Sequence, residues 1–359
     1  MSNKANKKQH YIPQFYLKLF SIDKKSIATY LFGRKKLVFK SSIKNTAQLP
    51  YLYSEDENDL NLEHSLGIFE KRFCKVYKTI IENKDLQFVT DLEYFDLLQS
   101  IVVQLERTEY IANDMNKMMR ETVKALANQK ENSFFSDISK AKFLELTDQA
   151  SLAVPNLEPL KMADKEFPFL FDLDAALYII KDNCDLQFIT SDTPVIMYNY
   201  LARFKGYKRN ASRISHKGII LLLPLSSKIC LLLYDPTFYK ISKKIFLSNA
   251  KDIKHLNQLI IHNSYKQIFF SPSINKKQMS SLIKYSKKIK QEHKQLTFYE
   301  NLETTIHFVS FFINEVIPLP KLQLTLQGQN FPKIPDYCNW PHRMENEYIR
   351  KFIQKMDYD

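Results

Sequence analysis

A chain of 359 residues with 45% hydrophobic and 25% charged residues has globular composition, which argues against wholesale disorder, and is long enough for two ordinary domains. Only 5 glycines are present, against a usual share of about 7%, so no dinucleotide fingerprint and no P-loop exist here. Four cysteines (Cys74, Cys184, Cys230 and Cys338) without a C-x-x-C pair argue against a zinc ribbon, a thioredoxin motif or a disulfide framework, and fit a reducing cytoplasm.

The opening MSNKANKKQH is charged and lacks the apolar core of a secretory signal. It leads into an aromatic-rich segment with Tyr11, Phe15, Tyr16 and Phe20. Ile27–Phe32 and Lys36–Phe39 flank Gly33-Arg34-Lys35 and predict a hairpin. Ser54, Asp56 and Asn58 are candidate caps for a helix in which Leu62, Leu66, Phe69, Phe73, Val76 and Ile80 step by three and four. Leu92, Phe95, Leu98, Val102 and Leu105 predict a second helix running on toward Leu126, and residues 137–152 a third. Near Pro155 the character changes. Ala176–Lys181 and Leu186–Ser191 are β-rich runs around a turn-like Asp182-Asn183-Cys184-Asp185, and Gly218–Leu223 with Ile229–Leu233 is another candidate pair. Pro224, Ser226, Ser227 and Lys228 interrupt that apolar stretch, so it is no membrane-spanning helix. Ser248 is a candidate cap for a helix through His262, and Gln267–Phe270 predicts a strand. A basic helix over Asn275–Leu296 follows, then a strand near 300–312, a proline-rich tail and a short helix near 343–356. The expected fold is α+β, with an N-terminal helical layer packed on a mainly antiparallel sheet with flanking helices. The expected organisation is an N-terminal arm, hairpin and helical region over 1–155, a sheet with basic helices over 156–315, and an extension over 316–359.

The net charge of +13 is unevenly placed. Residues 81–200 carry 11 Lys/Arg against 21 Asp/Glu, whereas residues 201–298 carry 20 against 3. Such a basic block attracts polyanions by Coulomb steering and counterion release. Its candidate nucleic-acid contacts are Arg203, Lys205 and Arg209 in a polar connection and Lys284, Lys287, Lys288 and Lys290 on the basic helix. A solvated lysine-rich surface, or one that meets an acidic protein partner, accounts for the same composition. Membrane-surface binding is less favoured, because the helix lacks tryptophan.

Four short clusters carry the candidate chemistry. The first is Gln9-His10-Tyr11-Ile12-Pro13-Gln14-Phe15-Tyr16-Leu17-Lys18-Leu19-Phe20. The second is Glu63 and Glu70, seven apart and so on one helix face. The third is Gln104-Leu105-Glu106-Arg107-Thr108, and the fourth Phe188-Ile189-Thr190-Ser191-Asp192-Thr193-Pro194-Val195. Together they resemble a bacterial family of uncharacterised proteins, the domain-of-unknown-function family numbered 4238. Its members open with a similar H-Y-x-P-x-F-Y-L-x-x-F stretch, carry Q-x-x-R-T on an early helix and end a strand in I-T-S-D-x-P-V. Pro224-Leu225-Ser226 and Asn257 match its later features, and Thr193 stands where asparagine or histidine is expected. The resemblance runs from about residue 8 to about residue 272 and implies no activity.

His10 suits a general base or metal ligand, or a structural histidine that holds the arm to the core. Glu63, Glu70 and Asp192 are candidate ligands for Mg²⁺ or Mn²⁺, since hard cations want oxygen; the alternatives are surface ion pairs for the glutamates and a capping turn for Asp192. Arg107 lies in an apolar run and needs a partner, either Asp192, a glutamate of the preceding helix, or a bound phosphate or carboxylate. The leading expectation is a cytoplasmic, metal-dependent nuclease with His10, Arg107 and Asp192 as catalytic residues; a toxin or phage-defence role rests on analogy alone. Its rival is a non-catalytic module that binds nucleic acid or protein and uses the same residues as a buried network. A third is an enzyme on a small anionic ligand.

Overall fold

The computed structural model describes residues 8–54, 61–128, 140–199, 214–289 and 323–324. The chain enters through strand β1 (Lys8–His10) and a short helix α1 (Gln14–Lys18) behind Pro13. Strands β2 (Ser26–Leu31) and β3 (Lys36–Ser42) form the expected antiparallel hairpin, and the left-handed residue in its turn is Lys35 (φ 49°), not Gly33. Strand β4 (Gln48–Pro50) then returns to pair with β1.

Five helices follow: α2 (Asn61–Asn83), α3 (Asp91–Glu106), α4 (Glu109–Asn128), α5 (Lys140–Gln149) and α6 (Leu157–Glu166). Helix α3 starts where Thr90 and Glu93 cap each other reciprocally, which satisfies two otherwise orphaned backbone donors. It does not run on toward Leu126. The helix breaks at Arg107-Thr108, where the Thr108 hydroxyl accepts from Ile111 N–H and starts α4. Within α3 the core-facing residues are Leu97, Leu98, Ile101 and Val102, while Leu92 remains exposed.

The remaining described elements are β5 (Asp174–Ile180), β6 (Thr190–Ser191), β7 (Ile196–Asn199), β8 (Ile219–Pro224), β9 (Ile229–Tyr234), β10 (Tyr239–Lys240), β11 (Lys244–Leu247), helix α7 (Ala250–Asn263), β12 (Gln267–Phe270), helix α8 (Lys276–Ile289) and β13 (Gln323–Leu324). A five-stranded sheet has the order β11-β5-β9-β8-β7, antiparallel except for the parallel pair β11–β5. A four-stranded antiparallel sheet has the order β3-β2-β12-β6. The predicted hairpin between Ala176–Lys181 and Leu186–Ser191 does not form. β5 takes β9 and β11 as neighbours, and the later run contributes only Thr190 and Ser191, which pair with β12 in the other sheet.

Alternation along the strands builds two cores. Leu177, Ile179, Leu221, Leu223, Leu231 and Leu233 cluster with α2, α3 and α6. Ala176, Tyr178, Ile220, Leu222 and Leu232 cluster with Ile253, Leu256 and Leu259 of α7 and Met279 and Ile283 of α8. Both faces of β8 and β9 are covered, which is why their sequences are continuously apolar. Pairing of β2 with β12 joins the N-terminal hairpin to the second half in one sheet. The architecture is α+β, with no closed barrel among the described residues. Among the described residues, no helix is long and apolar enough to cross a membrane. The segments 300–312 and 343–356, and most of the proline-rich tail, lie outside the described residues.

Where α3 and α6 pack, burial together with the nearby Glu166 carboxylate pushes the Glu106 carboxyl up to about 8. The folded chain therefore keeps this proton while the unfolded chain releases it near its ordinary value. Stability from this group is full below about pH 4.5 and is lost as pH rises toward about 8. Glu106→Gln should flatten that decline and raise the denaturation midpoint at pH 8 relative to pH 5, measured by urea titration at both pH values.

Candidate functional site

Period-2 alternation in β1 turns Gln9 inward and fixes the first part of a polar network. The buried Gln9 amide donates to Ser54 Oγ (2.9 Å) and Glu63 Oε2 (3.2 Å), and its carbonyl accepts from Tyr53 N–H (2.6 Å). Ser54 is thus engaged with the N-terminal strand. The residues between it and α2 lie outside the described ones, Asp56 and Asn58 among them.

Arg107 sits in the break between α3 and α4 with its side chain 2% exposed. Its guanidinium donates to Glu70 Oε1 (2.9 Å), the His10 carbonyl (2.7 Å) and Tyr53 Oη (3.1 Å), and lies 5.5 Å from the Tyr53 ring centroid. Burial alone would lower its pKa, but Tyr53 and Glu70 hold it above the ordinary value, so the charge persists. Gln104, one turn earlier, donates to the Tyr11 carbonyl (3.2 Å). Both polar residues of the Q-x-x-R pair therefore grip the backbone of the N-terminal segment. Burial is also the main reason the His10 imidazole titrates below its ordinary value, and its Nε2 is buried without a hydrogen-bond partner.

Asp192 is 1% exposed and lies at the end of β6. Its Oδ1 accepts from Tyr265 N–H (2.9 Å), and its Oδ2 from Lys266 N–H (2.6 Å) and Gln267 N–H (2.9 Å). The carboxylate thus caps the turn from α7 into β12, across the sheet and not within its own loop. Nearby, Lys266 forms an ion pair with Glu109, and Gln267 Nε2 donates to Tyr11 Oη (2.6 Å). Burial, then the charges of Asp192 and Glu109, raise the Tyr11 phenol well above its ordinary value, so it stays neutral. Tyr11 links the two clusters: its carbonyl belongs to the Gln104 contact and its hydroxyl to the Asp192 corner.

His10, Glu70 and Arg107 are therefore brought together directly, and Asp192 lies in a second cluster reached through Tyr11. The expected metal set of Glu63, Glu70 and Asp192 does not assemble, because each carboxylate has a separate partner: the Gln9 amide, the Arg107 guanidinium and three backbone N–H groups respectively. Among the described residues, no group of three or more His, Cys, Asp or Glu side chains is placed to hold a metal ion. Of the expected nucleic-acid contacts, Lys284 is exposed on α8, Lys287 and Lys288 belong to the same helix, and Arg203, Lys205, Arg209 and Lys290 lie outside the described residues. Tyr53, Glu109 and Lys266 were not legible as site residues; Gln9 stood in the first cluster without a role of its own.

A different kind of place exists between α7 and α8. A cavity of about 410 Å³ opens there, with Leu186, Ile189, Ile274, Met279 and Leu282 as its apolar wall and Lys254 and Lys277 at its edge. Lys276 and Lys284 of α8 are exposed like Lys254 and Lys277, and none of the four has a carboxylate partner among the described residues.

Fold and site define an α+β protein with a buried ionic latch under its N-terminal strand and a lysine-rimmed cleft on the opposite helical layer. The chain belongs to the family described as protein of unknown function, DUF4238, which it matches over residues 8–273. No curated protein and no solved structure matches it.

Two substitutions test the latch. Arg107→Met should cost about 3–5 kcal/mol, because Glu70, Tyr53 and the His10 carbonyl lose their shared donor. Asp192→Asn turns an amide NH₂ toward backbone donors and should cost about 1–3 kcal/mol. Chemical denaturation reads both, and an Asp192→Asn midpoint equal to that of the parent would contradict the capping role.

Proposed function

We propose that this protein is a non-catalytic nucleic-acid-binding module that meets its ligand with the α7–α8 layer. The observation that carries this reading is the set of unpaired lysines on that layer. Residues 250–289 hold eight lysines and one acid, Asp252; Lys266 is paired with Glu109, whereas Lys254, Lys276, Lys277 and Lys284 are exposed without a carboxylate partner among the described residues. Helix α8 is anchored by its buried Met279 and Ile283, so the lysines of its other face are presented by a fixed element. Fixed cations without carboxylate partners attract phosphates and release their counterions.

The partnering of the polar clusters favours the module over a nuclease. A nuclease needs at least two carboxylates converging on open space, whereas Glu70 neutralises buried Arg107 and Asp192 is spent on three backbone N–H groups. On this reading His10, Arg107 and Asp192 hold the scaffold and bind neither Mg²⁺ nor Mn²⁺. A reducing cytoplasm suits the free thiols Cys74, Cys184 and Cys230.

If four lysines contact a single strand, affinity should fall roughly fiftyfold between 50 and 200 mM salt, and Lys276→Glu, Lys277→Glu and Lys284→Glu together should abolish binding without shifting the thermal midpoint. Fluorescence anisotropy with a labelled 12-nucleotide strand measures both. The strand should also stay full length on a gel after incubation with Mg²⁺ or Mn²⁺. Cleavage that disappears in Asp192→Asn, at a protein concentration where that variant is folded, would restore the nuclease.

A further inference from the structure

We propose that the cavity between α7 and α8 takes a nucleobase together with its adjoining phosphate. This deepens the nucleic-acid-binding reading and rests on it for the source of the ligand. The volume of about 410 Å³ falls in the range of small-ligand sites, which runs from about 300 to 1,000 Å³. Its apolar wall suits the two faces of a planar ring.

Two amides in that wall have capacity to spare among the described residues. Gln258, on α7, is 8% exposed and lines the cavity, yet its side chain makes no hydrogen bond among the described residues. The buried Oε1 of Gln187 has no partner either, although its Nε2 donates to Ser273 Oγ (2.9 Å). Buried polar atoms are almost always paired, so the orphaned Oε1 of Gln187, beside the uncommitted amide of Gln258 on the same cavity, points to a ligand that supplies both donors and an acceptor. Asn257, next to Gln258, is by contrast spent internally: it donates to the Gln187 carbonyl (2.8 Å) and accepts from Ile189 N–H (3.1 Å). That contact fixes the wall that carries Gln187.

The edge of the cavity supplies charge. Lys254 lies one turn before Gln258 on the same face of α7, and Lys277 lies in the first turn of α8. A flat ligand with a donor–acceptor edge and an anionic tail fits this arrangement, and a nucleobase with its phosphate has all three features. Unpaired bases are read in this way, by their hydrogen-bonding edges, once they leave the stack.

Free nucleotide and strand are separated by two titrations of the full chain. In the first, a single strand of 12 nucleotides is compared with a strand of equal length carrying abasic sites, which keeps the phosphates and loses the bases. The intact strand should bind about tenfold more tightly, the value of two neutral hydrogen bonds. Gln258→Leu should erase that difference and leave the abasic affinity unchanged. The leucine is close in shape to an amide that had no protein partner, so the fold should tolerate it. Ser281→Trp, at an exposed position of the cavity lining, should erase the difference by filling the space if the leucine variant does not fold. The second titration uses nucleoside monophosphates followed by calorimetry. Monophosphate binding lost in Gln258→Leu, with no strand binding, would assign the cavity to a free nucleotide and reject the strand-binding reading. Equal affinity for intact and abasic strands, with no monophosphate binding, would overturn the cavity proposal while leaving salt-dependent strand binding intact.

Discussion

Removing a guanidinium from water costs several kcal/mol, and Arg107 is withdrawn almost completely. That cost is offset only when all its partners arrive together. Glu70 comes from α2, Tyr53 from the segment that precedes α2, and the third acceptor is the backbone carbonyl of His10 in β1. An incomplete set leaves a buried charge unpaired, which is worse than no charge at all. The N-terminal strand, the helical layer and the break between α3 and α4 are therefore coupled elements. The break follows from the same constraint. It places Arg107 outside regular helix, with φ −89° and ψ 4°, so that its side chain reaches back under β1.

Polar groups in this protein divide into those that are spent and those that are open. Gln9, Gln104, Arg107, Asp192 and Asn257 each bond to backbone or to a fixed side chain, and so define geometry. Lys254, Lys276, Lys277 and Lys284, with Gln258 and the free oxygen of Gln187, have no internal partner among the described residues. The proposed recognition draws on the second group, since a group already satisfied offers a ligand no free energy.

Long periodic elements were legible in the sequence. The stripe from Leu66 to Ile80, the β2–β3 hairpin, the pair β8–β9 and the strand at Gln267–Phe270 all follow from local hydropathy and turn chemistry. The misread elements depend on distant partners. Leu186–Ile189 has strand composition, but β9 already occupies the edge of β5 that it would need. In the region of Leu92–Leu126 the hydropathy pattern continues, yet the helix breaks at Arg107, whose side chain meets Glu70, and restarts behind the Thr108 cap. Site residues divide in the same way. Arg107 is conspicuous as a charge in an apolar run, and its glutamate partner on the preceding helix was among the options. Asp192 was recognisable as a strand-end carboxylate. That its partners are N–H groups about seventy-five residues later was not, because local sequence does not encode which turn lies across a sheet.

The pairing of β2 with β12 has a consequence for synthesis. β2 lies inside its sheet, between β3 and β12, and its register sets Leu31 opposite Gln267. When the hairpin leaves the ribosome, more than two hundred residues must still be made before that neighbour exists. Until then one side of β2 presents unpaired N–H and C=O groups beside apolar Ile27, Ala28 and Tyr30, an open edge of the kind that recruits other strands. A nascent chain stalled before β12 consequently carries that open edge, which closes only once the second half has been made.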